Sequence, residues 1–385
     1  KLIEPVNHIT EWSGSANAWK SFINDCKALN VKYNGVVFKP HFIDKDNFLG
    51  ADEKLFADIC SDLSSINSPY DFNYIPIHIL GSIYERFLGK IVVATAKQVR
   101  IEEKPEVRKA GGVYYTPKYI VDYIVANTIG KLIENKTPDK IANMHFADIA
   151  CGSGSFLIGV YDYLLQYHKD YYQRFPSKAK LDGCVTIDGV NTLSIKQKQD
   201  ILLNNIYGVD IDSQAVEVTQ LSLFLKMLED ETLTSTMLQA KQTSLYTKVL
   251  PDLTKNIVCG NSLIGSHVLS GRLFNTEEER RLNPMDYETT FPKIIKEGGF
   301  DAIIGNPPYV EFKGLNKEIK DCLEKVYSST TGKYDLFIPF IEKGIQLLKQ
   351  EGYISFILPS MFTKRDYGKS IRKFISENAY VQSLV

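Results

Sequence analysis

MHFADIACGSGSFLIG, residues 144–159, decides the fold. Its first half is a short apolar run ending at Asp148-Ile149, which reads as a buried strand, and Gly152-Ser153-Gly154 follow as a tight turn. From about Phe156 the pattern becomes helical. A strand that feeds a helix through a glycine turn opens a parallel βαβ unit. Glycines at such a turn let the backbone approach a ligand closely, and the open amides of the helix N-terminus favour a negative group. The run G-S-G-S-F-L matches neither the dinucleotide pattern G-x-G-x-x-G nor a P-loop, so taken alone it is equally a plain turn.

The same alternation continues downstream. Asn205–Asp210 reads as a second strand, before a helix with Ala215, Val218, Leu221 and Leu225 on one side. Strand patterns recur at Asn256–Gly260 and Phe300–Gly305, then a helix from Asp335 to Lys349 and a strand from Gly352 to Leu358. Strand and helix in turn predict an α/β fold, a doubly wound Rossmann-like sheet with ligands at the carboxyl ends of the strands. Residues 270–298 read as a polar excursion.

Upstream, residues 1–108 read as a mainly helical connector domain, with Leu80, Ile83, Tyr84, Phe87 and Leu88 at the spacing of one helix face. A charged stretch from Lys97 to Lys109, broken by Pro105 and followed by Gly111-Gly112, marks the boundary, and residues 109–385 form the second domain. The chain opens on Lys1 and closes on Ser383-Leu384-Val385, which reads as part of another apolar strand, so a piece of a longer protein is expected.

Composition narrows the class. With 44% hydrophobic and 24% charged residues the chain is globular, and no apolar run reaches bilayer length. A soluble, cytoplasmic protein without membrane contact is expected. Six cysteines without close pairs and six histidines without ligand spacing predict neither disulfides nor a metal site. Lys plus Arg 45 against Asp plus Glu 46 leaves nucleic acid open, because a cleft can be locally basic.

Three strand ends and one helix start carry chemistry. Asp210 stands where an acidic side chain accepts both ribose hydroxyls of an adenosine, with Ile211 beside it, whereas Asp212 before Ser213-Gln214-Ala215 reads as a helix cap. Asn261, followed by Ser262, can meet an adenine edge or simply shape a turn. Thr116 with Pro117 reads as a helix start, its hydroxyl capping the helix or binding a carboxylate, and Ile120, Ile124 and Val125 form the packed face. Asn306-Pro307-Pro308-Tyr309, after Phe300–Gly305, supplies two acceptors and an aromatic face, which suits an exocyclic amine on a planar group.

Taken together and in this order, YYTP, DIACGSGSF, GVDID, CGNSL, GNPPYV and GKYDLF resemble the gamma-class, adenine-N6-specific DNA methyltransferases. The methyltransferase part of type IIG restriction-modification enzymes is the nearest form, and LGSIYERFLGK is similar to its helical connector. The resemblance covers roughly residues 75–385. It implies S-adenosylmethionine as cofactor and double-stranded DNA as partner. Tyr114, Tyr115 and Thr116 would line the methionyl end; Asp148, Ala150, Gly152 and Gly154 the amino acid moiety; Asp210 the ribose; Asn261 and Ser262 the adenine. The family usually has Asp where Asn261 stands.

Asn306 Oδ1 and the Pro307 carbonyl would then accept both hydrogens of a flipped-out adenine N6, Pro307 and Pro308 would fix the loop, and Tyr309 would stack on the base through its ring alone. A second stacking aromatic, a nuclease domain and a target-recognition domain are expected outside these residues. Lys364, Arg365, Lys369, Arg372 and Lys373 are candidate phosphate contacts, or a solvated helix face. RNA adenine and protein-glutamine methyltransferases share the NPPY loop, and a phage-defence scaffold that binds DNA without methylating it is a further alternative; YYTP and the connector favour DNA.

Overall fold

The computed structural model describes residues 7–33, 52–64, 67, 76–77, 79, 81, 83, 90–94, 98–103, 116–187, 189–229, 231, 249–269 and 282–385. Helices α1 (His8–Ser13), α2 (Ala18–Tyr33) and α3 (Glu53–Leu63) meet around the rings of Trp12, Trp19, Phe22 and Phe56. Trp12 Nε1 donates to Asp25, which satisfies that indole's polar edge, and the Trp19 backbone amide donates to Glu53.

Residues 99–103 of the charged stretch belong to a strand pair. Strands β1 (Lys90–Ala94) and β2 (Val99–Glu103) form an antiparallel hairpin in which Lys90 faces Glu103. Val99 and Ile101 alternate with Arg100 and Glu102, which is the period of a strand. Of the connector helix, residues 77, 79, 81 and 83 are helical. Ile83, read above as part of a packed face, is exposed; Leu80, Tyr84, Phe87, Leu88 and the 111–112 glycine pair lie outside the described residues.

Five parallel strands form the central sheet. They are β3 (Phe146–Asp148), β6 (Ile206–Asp210), β7 (Ile257–Cys259), β8 (Phe300–Gly305) and β9 (Leu348–Phe356), standing in the order β7-β6-β3-β8-β9. The intervening β4 (Val185–Ile187) and β5 (Val190–Thr192) form a separate hairpin. Strand order therefore reverses between β3 and β8. That is the switch point of a doubly wound sheet, where connections leave to opposite faces and open a crevice.

One face of the sheet carries α4 (Lys118–Val125), α5 (Ser155–Arg174), α6 (Ile195–Asn205) and α7 (Ser213–Leu228). Ile124 and Val125 are buried there, as their spacing requires. In α7 Ala215 is buried as expected, but most of the packed face is turned from the one read: Val216, Thr219, Leu223 and Met227 are inward, Val218 and Leu221 are half-buried and Leu225 is exposed. The cause is Thr219, whose hydroxyl donates to the Gly152 carbonyl at 2.8 Å and draws a polar side chain inward. Gly159 marks the tightest approach of α5 to α4, since a Cβ there would lie 2.5 Å from Val121 Cγ1. Gly159→Ala is expected to cost about 1 to 3 kcal/mol through overpacking, read as a lower denaturation midpoint; an unchanged midpoint would show that α4 moves aside freely.

The other face carries α8 (Lys317–Val326), α9 (Phe337–Gln346) and α10 (Lys369–Asn378). The described part of the expected polar excursion belongs to this core. Tyr287, Phe291 and Ile294, spaced as one helical face, are buried in it. Helix α9 stops before Lys349 because Leu347 and Leu348 pair with Phe300, so β9 starts earlier than Gly352. Residues 379–385 are exposed and carry no strand, in contrast to the pattern read from Ser383-Leu384-Val385. Among the described residues no helix is long and apolar enough to cross a membrane.

Candidate functional site at the switch point

The carboxyl ends of β3 and β8 lie side by side, and the packing between them is close. A Cβ on Gly305 would meet Asp148 Oδ1 at 2.5 Å, so only glycine lets the strand ahead of Asn306 pass this carboxyl. Asp148 is buried, with the Ala150 amide donating to Oδ1 at 3.0 Å. Burial pushes its pKa up to about 8; the Ala150 N–H works against the rise and the charge of Asp210 adds to it.

The glycine loop bends as its sequence demands, with φ of 53° at Gly152 and 85° at Gly154. The Gly152 amide donates to Asp210 Oδ2 at 2.8 Å, which ties the end of β3 to the end of β6. Helix α5 then starts at Ser155 with no side-chain cap. Its first amides therefore face the crevice without an acceptor from a capping residue, a natural seat for a carboxylate. Gly81 of the connector packs on this loop from outside, where a Cβ would lie 2.9 Å from Ser153 Oγ.

Asp210 also accepts the Asp212 amide, through Oδ1 at 2.9 Å. Burial raises its pKa, against the pull of the Asp212 and Gly152 amides. The Ile211 amide also bonds this carboxylate, which is left with lone-pair capacity for a further donor. Ile211 beside it is exposed, and Asp212 caps α7 by accepting from the Gln214 amide, as read from the sequence.

Asn261 and Ser262 are largely committed to structure. Asn261 Oδ1 accepts the amides of Leu263 and Ile264 at 3.0 and 3.2 Å, and its Nδ2 donates to the Leu282 carbonyl at 3.0 Å. Ser262 Oγ donates to the Ile149 carbonyl at 2.5 Å. An Asp at 261 would lose the bond to Leu282, which gives the departure at this position a physical reason.

At the other strand end, Asn306 is half-buried, Pro307 buried and Pro308 exposed. Asn306 Nδ2 donates to Thr116 Oγ1 at 3.2 Å. Tyr309 is held by its hydroxyl as well as its ring: the oxygen lies 2.5 Å from Asn306 Oδ1 and 2.8 Å from the Ile357 carbonyl, and the ring stands edge-on to Phe337. The sequence reading asked only for the ring.

Thr116 does not cap α4. Pro117 occupies the cap position, Lys118 begins the helix, and the Thr116 hydroxyl is turned instead to Asn306. Tyr114 and Tyr115 lie outside the described residues. Arg372 is used within its own segment, donating to the carbonyls of Phe362 and Arg365, whereas Lys364, Arg365, Lys369 and Lys373 are exposed. Sequence reasoning missed three contributors: Thr219, which holds the glycine loop, Gly305 and the Tyr309 hydroxyl. For Gly305 the signal was available, as a glycine closing a buried strand marks a close approach.

A doubly wound parallel sheet whose switch point is flanked by a glycine loop and an NPPY loop defines the methyltransferase fold. Residues 204–385 match the family of the Eco57I restriction-modification methylases, and the chain belongs to that family. Over 372 residues it is 36% identical to the type II restriction enzyme and methyltransferase RM.Eco57I of Escherichia coli, a match covering 95% of this chain and 35% of the relative. It is 23% identical over 278 residues to the adenine-specific methyltransferase PglX of Streptomyces coelicolor, covering 69% of this chain and 20% of that protein. The chain thus spans about a third of the length of the first of these relatives, 35%.

Among solved structures, the type IIL restriction-modification enzyme MmeI in complex with DNA superposes with a TM-score of 0.55 at 14% identity, over 94% of this chain and 45% of that one. The DrdV-DNA complex gives 0.51 at 17% identity, over 97% and 34%. At such identities the likeness is one of fold.

Proposed function

We propose that this chain is the methyltransferase module of a restriction-modification system, moving a methyl group from S-adenosylmethionine to N6 of an adenine flipped out of double-stranded DNA. The observation that carries the reading is the Asn306 side chain, anchored through Nδ2 at the switch point with Oδ1 on the side of Tyr309. The amine of adenine is a poor nucleophile because its lone pair is delocalised into the ring. Asn306 Oδ1 and the Pro307 carbonyl accept its two hydrogens, which favours a pyramidal nitrogen and frees the lone pair. Both acceptors are aimed before the base arrives, so they stabilise the developing charge without reorganising. Pro307 and Pro308 limit the backbone, and the Tyr309 ring offers a stacking face.

The residues at the strand ends fit the cofactor. The φ values of Gly152 and Gly154 open the loop to close approach, and the uncapped start of α5 suits the methionyl carboxylate. Asp148 and the Ala150–Gly154 loop hold the amino acid moiety; Asp210 accepts from the ribose, and the exposed Ile211 covers the adenine face. Of the pair at the adenine edge, the carbonyl oxygen of Asn261 already takes two amides and buried Ser262 donates to the Ile149 carbonyl, so their contact with adenine is confined to the lone pairs these bonds leave. When bound, the cofactor supplies an electrophilic methyl on a sulfonium.

DNA enters this reading through the family and through the exposed Lys364, Arg365, Lys369 and Lys373. The test is transfer of labelled methyl from the cofactor to adenine-containing duplex DNA, with the product nucleoside identified by mass spectrometry. N6-methyladenine is expected; methylcytosine, methylated RNA alone, methylglutamine or cofactor binding without transfer would overturn the assignment. Asp210→Asn keeps the shape but removes an acceptor, and is expected to weaken cofactor binding by about 1 to 1.5 kcal/mol, roughly tenfold, in calorimetry. Unaltered affinity would take Asp210 out of the ribose site.

A further inference from the structure

A primary amide has nearly the same shape at both ends and opposite chemistry: turned one way it accepts, turned the other it donates. The role proposed for Asn306 needs its accepting end toward the amine. Gly305, Pro307 and Pro308 carry no side-chain hydrogen-bonding group, so two contacts set the amide's direction: the Tyr309 hydroxyl, which donates to Oδ1, and the acceptor of Nδ2. The partner of Nδ2 comes from 190 residues upstream. Thr116 is only 6% exposed, so its oxygen faces the amide away from bulk water.

We propose that Thr116 is a positioning residue for methyl transfer: its buried hydroxyl takes an amide hydrogen of Asn306 and thereby holds Oδ1 toward the reacting amine. The inference rests on the reading of Asn306 given above. It assigns Thr116 a task on the target side of the crevice, distinct from the methionyl end of the cofactor. Without the hydroxyl, Nδ2–H is left facing an apolar surface, only the Tyr309 hydroxyl still holds Oδ1, and the amide is freer to turn over. The turned amide meets the N–H groups of adenine with N–H groups of its own. The amine loses its acceptor, its lone pair stays conjugated, and the rate falls while the cofactor is held as before.

Thr116→Val preserves the volume and removes the hydroxyl, and Thr116→Ser restores it. Single-turnover transfer to DNA is expected to fall on the order of 10- to 100-fold in the valine variant, with the serine variant near wild type. Affinity for S-adenosylhomocysteine, measured by calorimetry, is expected to stay within about twofold in both. Side-chain amide exchange of Asn306, followed by NMR, needs no turnover and is expected to quicken in the valine variant alone.

A wild-type rate in Thr116→Val would overturn the inference, as would a rate loss matched by an equal loss of cofactor affinity. If amide exchange responds as expected but wild-type protein methylates no DNA, the function proposed for the site fails, and the hydrogen bond from Asn306 to Thr116 stands as a structural contact only.

Discussion

Replacing Asn306 by alanine is expected to lower methyl transfer to DNA by two or more orders of magnitude while cofactor affinity stays within a few fold. The asymmetry follows from position. Asn306 sits at the end of β8 across the switch point from the glycine loop, and the bonds of its side chain run to Thr116 and Tyr309. Removing a preorganised polar contact of this kind costs on the order of 100- to 1,000-fold in rate. Tyr309→Phe serves as the companion variant. It keeps the ring and removes the hydroxyl that bridges Asn306 Oδ1 and the Ile357 carbonyl, so its loss is expected to be measurable and smaller than that of Asn306→Ala. Methyl transfer from labelled cofactor reads both, and a wild-type rate in Asn306→Ala would remove the central residue of the proposed mechanism.

Much of the sheet was legible because its strands obey short-range rules. The apolar runs ending at Asp148, Asp210, Cys259 and Gly305 are bounded by glycine or acidic turns, and buried parallel strands have that appearance. Helix α7 was legible as a helix but not in rotation. Its inward face includes Thr219, and a hydropathy pattern has no means of turning a threonine toward a carbonyl of another segment. The same limit explains Thr116. Locally, Thr-Pro before an apolar helix is a sound start signal, and the partner that claims the hydroxyl lies 190 residues away.

Asn261 is the reverse case. Its ambiguity between ligand contact and turn was local, and the three hydrogen bonds of its side chain show how far the turn accounts for it. The site is therefore best seen as a set of strand ends that hold one another: Gly152 on Asp210, Ser262 on Ile149, Gly305 against Asp148 and Asn306 on Thr116. Each link joins segments far apart in sequence. That is why the residue types could be named from sequence and their contacts could not.

One of those links predicts how cofactor affinity depends on pH. Asp148, buried beside Gly305 and raised to about 8, is protonated across the neutral range, yet the proposed site asks it to hold the ammonium of the methionyl group. The two requirements meet through a proton. Below about pH 8 Asp148 must ionise before it can pair, so affinity rises as pH rises, until the ligand's α-amino group in turn loses its charge at higher pH and affinity falls again. Affinity is therefore expected to fall steeply as pH drops from about 8 to 6, with a proton released on binding at pH 7. Titration of S-adenosylhomocysteine in buffers of different ionisation enthalpy measures both quantities. Asp148→Asn cannot titrate, and its acid limb is expected to vanish along with the proton release while binding at pH 8 weakens. The same carboxyl makes the folded protein bind more protons than the unfolded chain between about pH 4 and 8, so its contribution to stability declines as pH rises through that window. Affinity that is flat from pH 6 to 8 would show that the ammonium is held elsewhere, and would leave Asp148 as a neutral group that shapes the crevice between β3 and β8.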